Sequence, residues 1–108
     1  MTVSRLKDLI GLSASALPDG EREVTDVYIG DLLSWVMGKA KSGDAWITIM
    51  SNKNIAAVAT LTDCACIILA EGVLPDDGVA ELASEKGINL LLSEKSAYEI
   101  AKDISRCL

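Results

Sequence analysis

Cys64-Ala65-Cys66 is the one place in the chain where two soft ligands stand two residues apart. Alternate residues of a strand point to one face, so these thiols could form a redox pair or half of a zinc site. Neither site can be completed. Cys107 is the only other thiol and the chain has no histidine, which leaves tetrahedral zinc without its usual ligand set. Cysteine also packs as a small hydrophobe, and a reactive thiol needs an exposed, electropositive setting. The expectation is two buried structural cysteines, with no metal and no cofactor.

The missing histidine also removes the commonest general base and the Ser-His and Cys-His nucleophile pairs. Asp76-Asp77 is the nearest thing to a carboxylate pair, but two acids after Pro75 are what the first turn of a helix favours. Neither the G-x-x-x-x-G-K-[ST] nor the G-x-G-x-x-G phosphate loop is present. No catalytic group is expected, and the chain reads as a binding or interaction module more readily than as an enzyme.

Three short polar stretches remain, and they fall where an α/β sheet binds ligands, beyond the carboxyl ends of its strands. They are Ser51-Asn52-Lys53-Asn54, Glu71-Gly72, and Ser93 to Ser96. Each precedes a helix start, where free N–H groups suit an anion. Asn52, Asn54, Ser51, Ser93 and Ser96 would supply neutral donors. Lys53 would supply the one nearby positive charge, and Gly72 would allow close backbone approach. Glu71 would oppose an anion but could take a sugar hydroxyl. Asn52, Asn54 and Gly72 are expected to line a shared pocket. Ordinary turn chemistry explains the same residues without a ligand.

The elements that would position these loops follow from periodicity. Thr2 can cap a short helix with Leu6, Leu9 and Ile10 on one face and Gly11 as its stop. Ser13 to Leu17 and Val24 to Ile29 read as two short strands around the Pro18-Asp19-Gly20 turn. Asp31 is suited to cap a helix whose apolar stripe is Leu32, Leu33, Val36, Met37 and Ala40. Ala45 to Met50 is a strand with β-branched Ile47, Thr48 and Ile49. Ile55 to Leu61 is a helix of small residues, ended by Thr62-Asp63. Cys64 to Leu69 is continuously apolar, as a strand covered on both faces must be. Pro75 opens a helix that buries Val79, Leu82 and Ala83. Ile88 to Leu92 is a further apolar strand, and Ser96 to Glu99 matches a capping box before a helix with Ile100, Ala101 and Ile104 inside. The second half therefore reads β-α-β-α-β-α. Connections this short join parallel strands by right-handed crossovers. The fold class expected is a three-layer α/β/α arrangement on a mostly parallel sheet of four or five strands.

Length and composition bound the rest. The 108 residues suffice for one domain, 1–108, with a real core. Half are apolar and the net charge is −6, which argues against duplex nucleic acid or an anionic membrane as partner. The N-terminus lacks the apolar stretch of a signal peptide, and the run Cys64 to Ala70 falls far short of a membrane span. Three cysteines, an odd number, fit a reducing compartment; a cytoplasmic protein is expected. A small chain with this much apolar surface is also expected to be a homodimer, with Trp35, Met37 and Val73 as interface candidates.

The chain resembles the DRTGG domain family, which is similar to the N-terminal domain of bacterial HPr kinase/phosphorylase. Gly30-Asp31-Leu32-Leu33-Ser34 looks like that family's entry to its first central helix. Ser51-Asn52-Lys53-Asn54-Ile55 stands where the family has an Asp-Arg turn before an alanine-rich helix. Cys66 to Gly72 stands where it has an apolar strand closed by Thr-Gly-Gly. Ser51-Asn52 replaces the Asp-Arg pair, and Ala70-Glu71-Gly72 keeps only the last glycine. The resemblance runs from about Val24 to the C-terminus. It implies a three-layer α/β/α domain found alone or beside CBS domains, phosphotransacetylases and kinases, and it does not imply catalysis. By this resemblance the chain would be a regulatory or accessory module, sensing a small anionic ligand such as a nucleotide. The alternative is a protein-interaction subunit of a larger system, redox- or hydrogenase-linked, with no ligand of its own.

Overall fold

Five strands and five helices alternate along nearly the whole chain, and the order in which the strands lie explains the layering. The computed structural model describes residues 1–108. Helix α1 (Val3–Ile10) leads into β1 (Ser13–Ala16) and β2 (Asp26–Ile29). Then come α2 (Leu33–Lys39), β3 (Asp44–Thr48), α3 (Asn54–Thr62), β4 (Cys66–Leu69), α4 (Val79–Glu85), β5 (Leu90–Leu92) and α5 (Ala97–Ser105). The sheet order is β1-β5-β4-β3-β2. Strands β2 to β5 are mutually parallel, and β1 runs antiparallel to β5. The expected α/β class and mostly parallel sheet are therefore observed.

Because β2, β3, β4 and β5 follow one another across the sheet, right-handed crossovers place α2, α3 and α4 on the same face. The two apolar clusters reflect this. One holds Val36, Trp46, Ile55, Val58, Ala59, Ile67, Leu69, Val79, Ala83 and Leu90, under the crossover helices. The other holds Val3, Leu6, Ala45, Ile47, Cys66, Ile68, Leu91, Ile100 and Ile104, under α1 and α5. Successive residues of β3, β4 and β5 alternate between the clusters with the period of two that a pleated strand requires.

Local rules account for the helix ends that matched expectation. The Thr2 hydroxyl accepts from Arg5 N, and Gly11 closes α1 at φ +72°. The Ser96 hydroxyl accepts from Glu99 N at the start of α5. A buried amide fastens the least regular segment: Asn89 Nδ2 donates to the carbonyls of Asp19 and Ala65, and its Oδ1 accepts from Asp19 N.

Several expectations need correction. The two short early strands exist but do not pair around the Pro18-Asp19-Gly20 turn; they lie at opposite edges of the sheet. Leu9 is exposed, so α1 buries Val3 and Leu6 instead. Asp31 does not cap α2. Its Oδ1 accepts from Thr48 Oγ1 at 2.8 Å and from Ile49 N at 3.0 Å, which binds the β2–α2 turn to the end of β3. Pro75 lies in a loop, and α4 begins only at Val79, after Gly78 at φ +83°. Asp76 is engaged by Ser51 and not by a helix start. Cys64 and Cys66 do not share a face: the chain turns left-handed at Asp63, Cys64 lies before β4, and the two thiols enter different clusters. Both are buried, and burial pushes the Cys66 thiol up to about 12.

Candidate functional site

The carboxyl ends of β3, β4 and β5 form one rim, and the three polar stretches lie on it, but they are not equivalent. Ser51 and Asp76 hold each other: Ser51 Oγ donates to Asp76 Oδ1 at 2.8 Å, and Asp76 N donates to the Ser51 carbonyl at 3.0 Å. Asn52 spends its side-chain oxygen on Asn54 N at 2.8 Å, a local turn that starts α3. Lys53 is exposed, with no ion pair. At the next stretch the backbone N–H groups of Glu71 and Gly72 are not free, because they donate at 2.9 Å to the carbonyls of Lys95 and Ser93. These two bonds tie the β4–α4 loop to the β5–α5 loop. Ser93 Oγ accepts from Lys95 N at 3.1 Å, and Ser96 serves as the α5 cap.

A cleft of about 480 Å³ opens beside that tie. Its walls are Gly72, Val73 and Leu74 after β4, Leu92 at the end of β5 with Ser93, Glu94 and Lys95 after it, and Ile10, Gly11 and Ser13 at the entry to β1. The topology dictates its place. The chain leaves β4 toward α4 on one face of the sheet and leaves β5 toward α5 on the other. Where consecutive connections diverge in this way, a crevice opens outside the strand ends, the usual ligand position of an open α/β sheet. Connections α3 and α4 leave on the same face, so no crevice opens between β3 and β4. Ser51, Asn52, Lys53 and Asn54 are accordingly not among the cleft residues.

Of the stretches singled out in the sequence, the cleft thus gathers Gly72 and, from Ser93 to Ser96, the residues Ser93, Glu94 and Lys95. Glu71 is exposed next to it in a left-handed conformation, φ +61°. Gly72 stands at φ +73°, and a Cβ there would meet only Glu94 Cγ, at 3.9 Å. The conformation, not a close backbone approach, is what calls for glycine. Val73, an interface candidate in the sequence, lines the cleft wall. Ile10, Gly11, Ser13, Leu74 and Leu92 were not legible as cleft residues, and the first three reach it only through the antiparallel addition of β1 to β5.

The cleft's charge comes from Glu94 and Lys95. Lys95 Nζ donates to Asp103 Oδ2 at 2.9 Å. That bond raises the lysine above its ordinary value and lowers the Asp103 carboxyl, so both stay charged at neutral pH. Lys95 and Ile10 also border a second hollow with Leu9, Asp103, Arg106 and Cys107. Apolar walls, a carboxylate and a tethered ammonium can bind a small polar molecule with an apolar part. No group of His, Cys, Asp and Glu side chains is placed to hold a metal ion, and no helix is long and apolar enough to cross a membrane.

Comparison with known proteins now adds to the geometry. No curated protein sequence matches the chain. Among solved structures, it is similar to the CBS and DRTGG domains of the regulatory region of Clostridium perfringens pyrophosphatase, a structure complexed with its activator, diadenosine tetraphosphate. The TM-score is 0.75 at 16% identity, and the match covers 99% of this chain and 47% of that one. The chain therefore spans about half the length of that regulatory region, and the likeness concerns the fold. The DRTGG domain family matches residues 11–107, and the chain belongs to that family.

Proposed function

We propose that the protein is a non-catalytic regulatory module that senses a small anionic ligand, of which a nucleotide is the best candidate. The observation that carries this reading is the cleft at the divergence of β4 and β5, lined by Gly72 to Leu74 and Leu92 to Lys95. Its volume falls in the range of small-molecule sites. Ile10, Val73, Leu74 and Leu92 offer an apolar wall for a base, Glu94 an acceptor for sugar hydroxyls, and Lys95 a cation for phosphate. Membership of the DRTGG family and a fold neighbour taken from a nucleotide-activated regulatory region support the same reading. The two cysteines buried as free thiols fit a cytoplasmic location.

Thermal unfolding with a panel of nucleoside mono-, di- and triphosphates, dinucleoside polyphosphates and inorganic phosphate tests the proposal. A ligand at 100 times its dissociation constant adds ~2.7 kcal/mol, a shift of roughly 10 °C or more for a domain of this size. Val73→Trp, which fills the cleft, should abolish the shift, and Asn54→Ala should leave it intact. No shift with any nucleotide would overturn the reading. A shift lost in Asn54→Ala but kept in Val73→Trp would move the site to the α3 start.

A second reading, a subunit acting through its surface, has one observation behind it. Leu32 and Trp35 are 61% and 59% exposed at the outer side of α2.

A further inference from the structure

The cleft where β4 and β5 diverge holds one cation and two uncompensated acids. Lys95 Nζ spends one of its N–H donors on Asp103 Oδ2 at 2.9 Å, so the rest of the ammonium is open to a ligand. Glu94 lines the cleft, and its Cγ lies 3.9 Å from where a Cβ on Gly72 would stand. Glu71 is exposed at the adjoining position, and neither carboxylate has an ion-pair partner. Arg106 borders only the second hollow. Most backbone donors of the two loops are spent as well. Gly72 N donates to the Ser93 carbonyl, Val73 N to the Ala70 carbonyl, Ser93 N to the Leu69 carbonyl and Lys95 N to Ser93 Oγ. The N–H groups of Leu74 and Glu94 stay free, one in each loop, so no run of consecutive N–H groups is left to cradle a phosphate chain.

We infer that the cleft selects a nucleoside carrying a single negative charge, its phosphate closed as a cyclic diester, and discriminates against nucleotides with terminal or chained phosphates. The inference rests on the ligand-sensing reading above and narrows it to a class of ligand. A phosphodiester carries one negative charge, whereas a terminal phosphate carries about −1.5 to −2 at neutral pH and every further phosphate in a chain adds to it. Lys95 can meet one such charge while it stays bound to Asp103. Any charge beyond the first finds no counterion in the cleft and faces Glu94 and Glu71 instead. At ~7 Å in a half-solvated site, one such like-charge contact weakens binding roughly tenfold. The net charge of −6 works in the same direction, because the field of the whole chain repels a polyanion more than a monoanion. Val73, Leu74 and Leu92 remain for the base, and Glu94 can accept from a sugar hydroxyl only where phosphate is kept away from it.

Calorimetric titration of the whole chain with adenosine, cyclic AMP, AMP, ADP and ATP, and with the guanosine series, tests it, first in a chelating buffer and then with magnesium. The cyclic nucleotide of one series should bind tightest, with affinity falling roughly tenfold to the monophosphate and further to the triphosphate. Lys95→Met should bring the cyclic nucleotide down to the affinity of the bare nucleoside. Glu94→Gln should raise triphosphate affinity more than cyclic nucleotide affinity and close the gap by roughly tenfold. That is a change of selectivity, which partial unfolding does not produce, and circular dichroism checks the fold of each variant. Val73→Trp should abolish all binding. A triphosphate that binds as tightly as the cyclic nucleotide, with or without magnesium, overturns this inference and leaves the sensing reading standing. So does a nucleoside that binds as tightly as its cyclic phosphate, or a selectivity that Glu94→Gln leaves unchanged. Binding of no probe at all overturns both.

Discussion

Helices α2 and α3 are neighbours on one face of the sheet, each a crossover between parallel strands, yet they are embedded very differently. α3 buries Ile55, Ala56, Val58, Ala59 and Thr62, whereas α2 buries only Val36. Side-chain size and position in the sheet cause the difference. The small residues of α3 let its axis approach β3 and β4 closely, with sheet on both sides. α2 crosses from the edge strand β2, so part of its apolar stripe has no sheet beneath it. Leu32 reads as part of that stripe and stands exposed for that reason, as does Trp35, read as an interface candidate. An apolar stripe states which side of a helix wants cover; the helix's place in the sheet decides whether the same chain supplies it.

The largest test of this contrast is Ile55→Ala. It removes a fully buried side chain against a packed sheet and should cost 2–5 kcal/mol, about the range for such cavities, read from urea unfolding. Val36→Ala removes the only buried anchor of α2 and should cost about 1–2 kcal/mol, since less volume is lost and the edge can relax. Equal losses would mean that α2 is as embedded as α3 and would break the comparison.

Acid titration sharpens it further. A hydrogen bond from Lys41 holds the Asp26 carboxyl below its ordinary range, and one from Arg22 does the same for Asp63 at the end of α3. A depressed folded value means that each contribution is complete above the ordinary carboxylate pKa of 3.8 and is lost as pH falls through the folded value. Stability should hold from neutral pH to about pH 5 and decline below 4, and Asp63→Asn should flatten part of that decline. Raised Lys41 and Lys95 add the opposite limb, present below pH 10.5 and lost as pH rises through their folded values. The smallest effect belongs to Trp35→Ala. At protein concentrations too low for self-association it should change unfolding free energy by no more than about 0.5 kcal/mol, as an exposed surface position does. A larger loss would show Trp35 to be part of the monomer's core.

The fold was legible to the extent that local patterns carry it. Ile47, Cys66 to Leu69 and Leu90 to Leu92 announce buried strands, and Thr2, Gly11 and Ser96 mark helix ends whose partners lie within a few residues. The candidate cleft was legible only in part. The rule that ligands meet α/β sheets beyond the strand ends led to Gly72 and Ser93, and equally to Asn52 and Asn54, because it does not say which neighbouring connections diverge. Asp31 and Asp76 looked like helix-start acids and are instead spent on Thr48, Ile49 and Ser51, partners far away in sequence.

The sequence by itself determined the alternation of strands and helices, the class of the sheet and the three-layer plan. Those follow from side-chain periodicity and short connections, which act over a few residues. Tertiary structure alone decided that β1 joins the far edge beside β5, that α5 takes the opposite face from α4, and that α2 overhangs β2. Each is a choice about which surfaces cover which, settled by the burial of the whole chain at once. From those choices came the cleft, where Ile10 meets Leu74 and Lys95, and the uncovered flank, where Leu32 and Trp35 face outward.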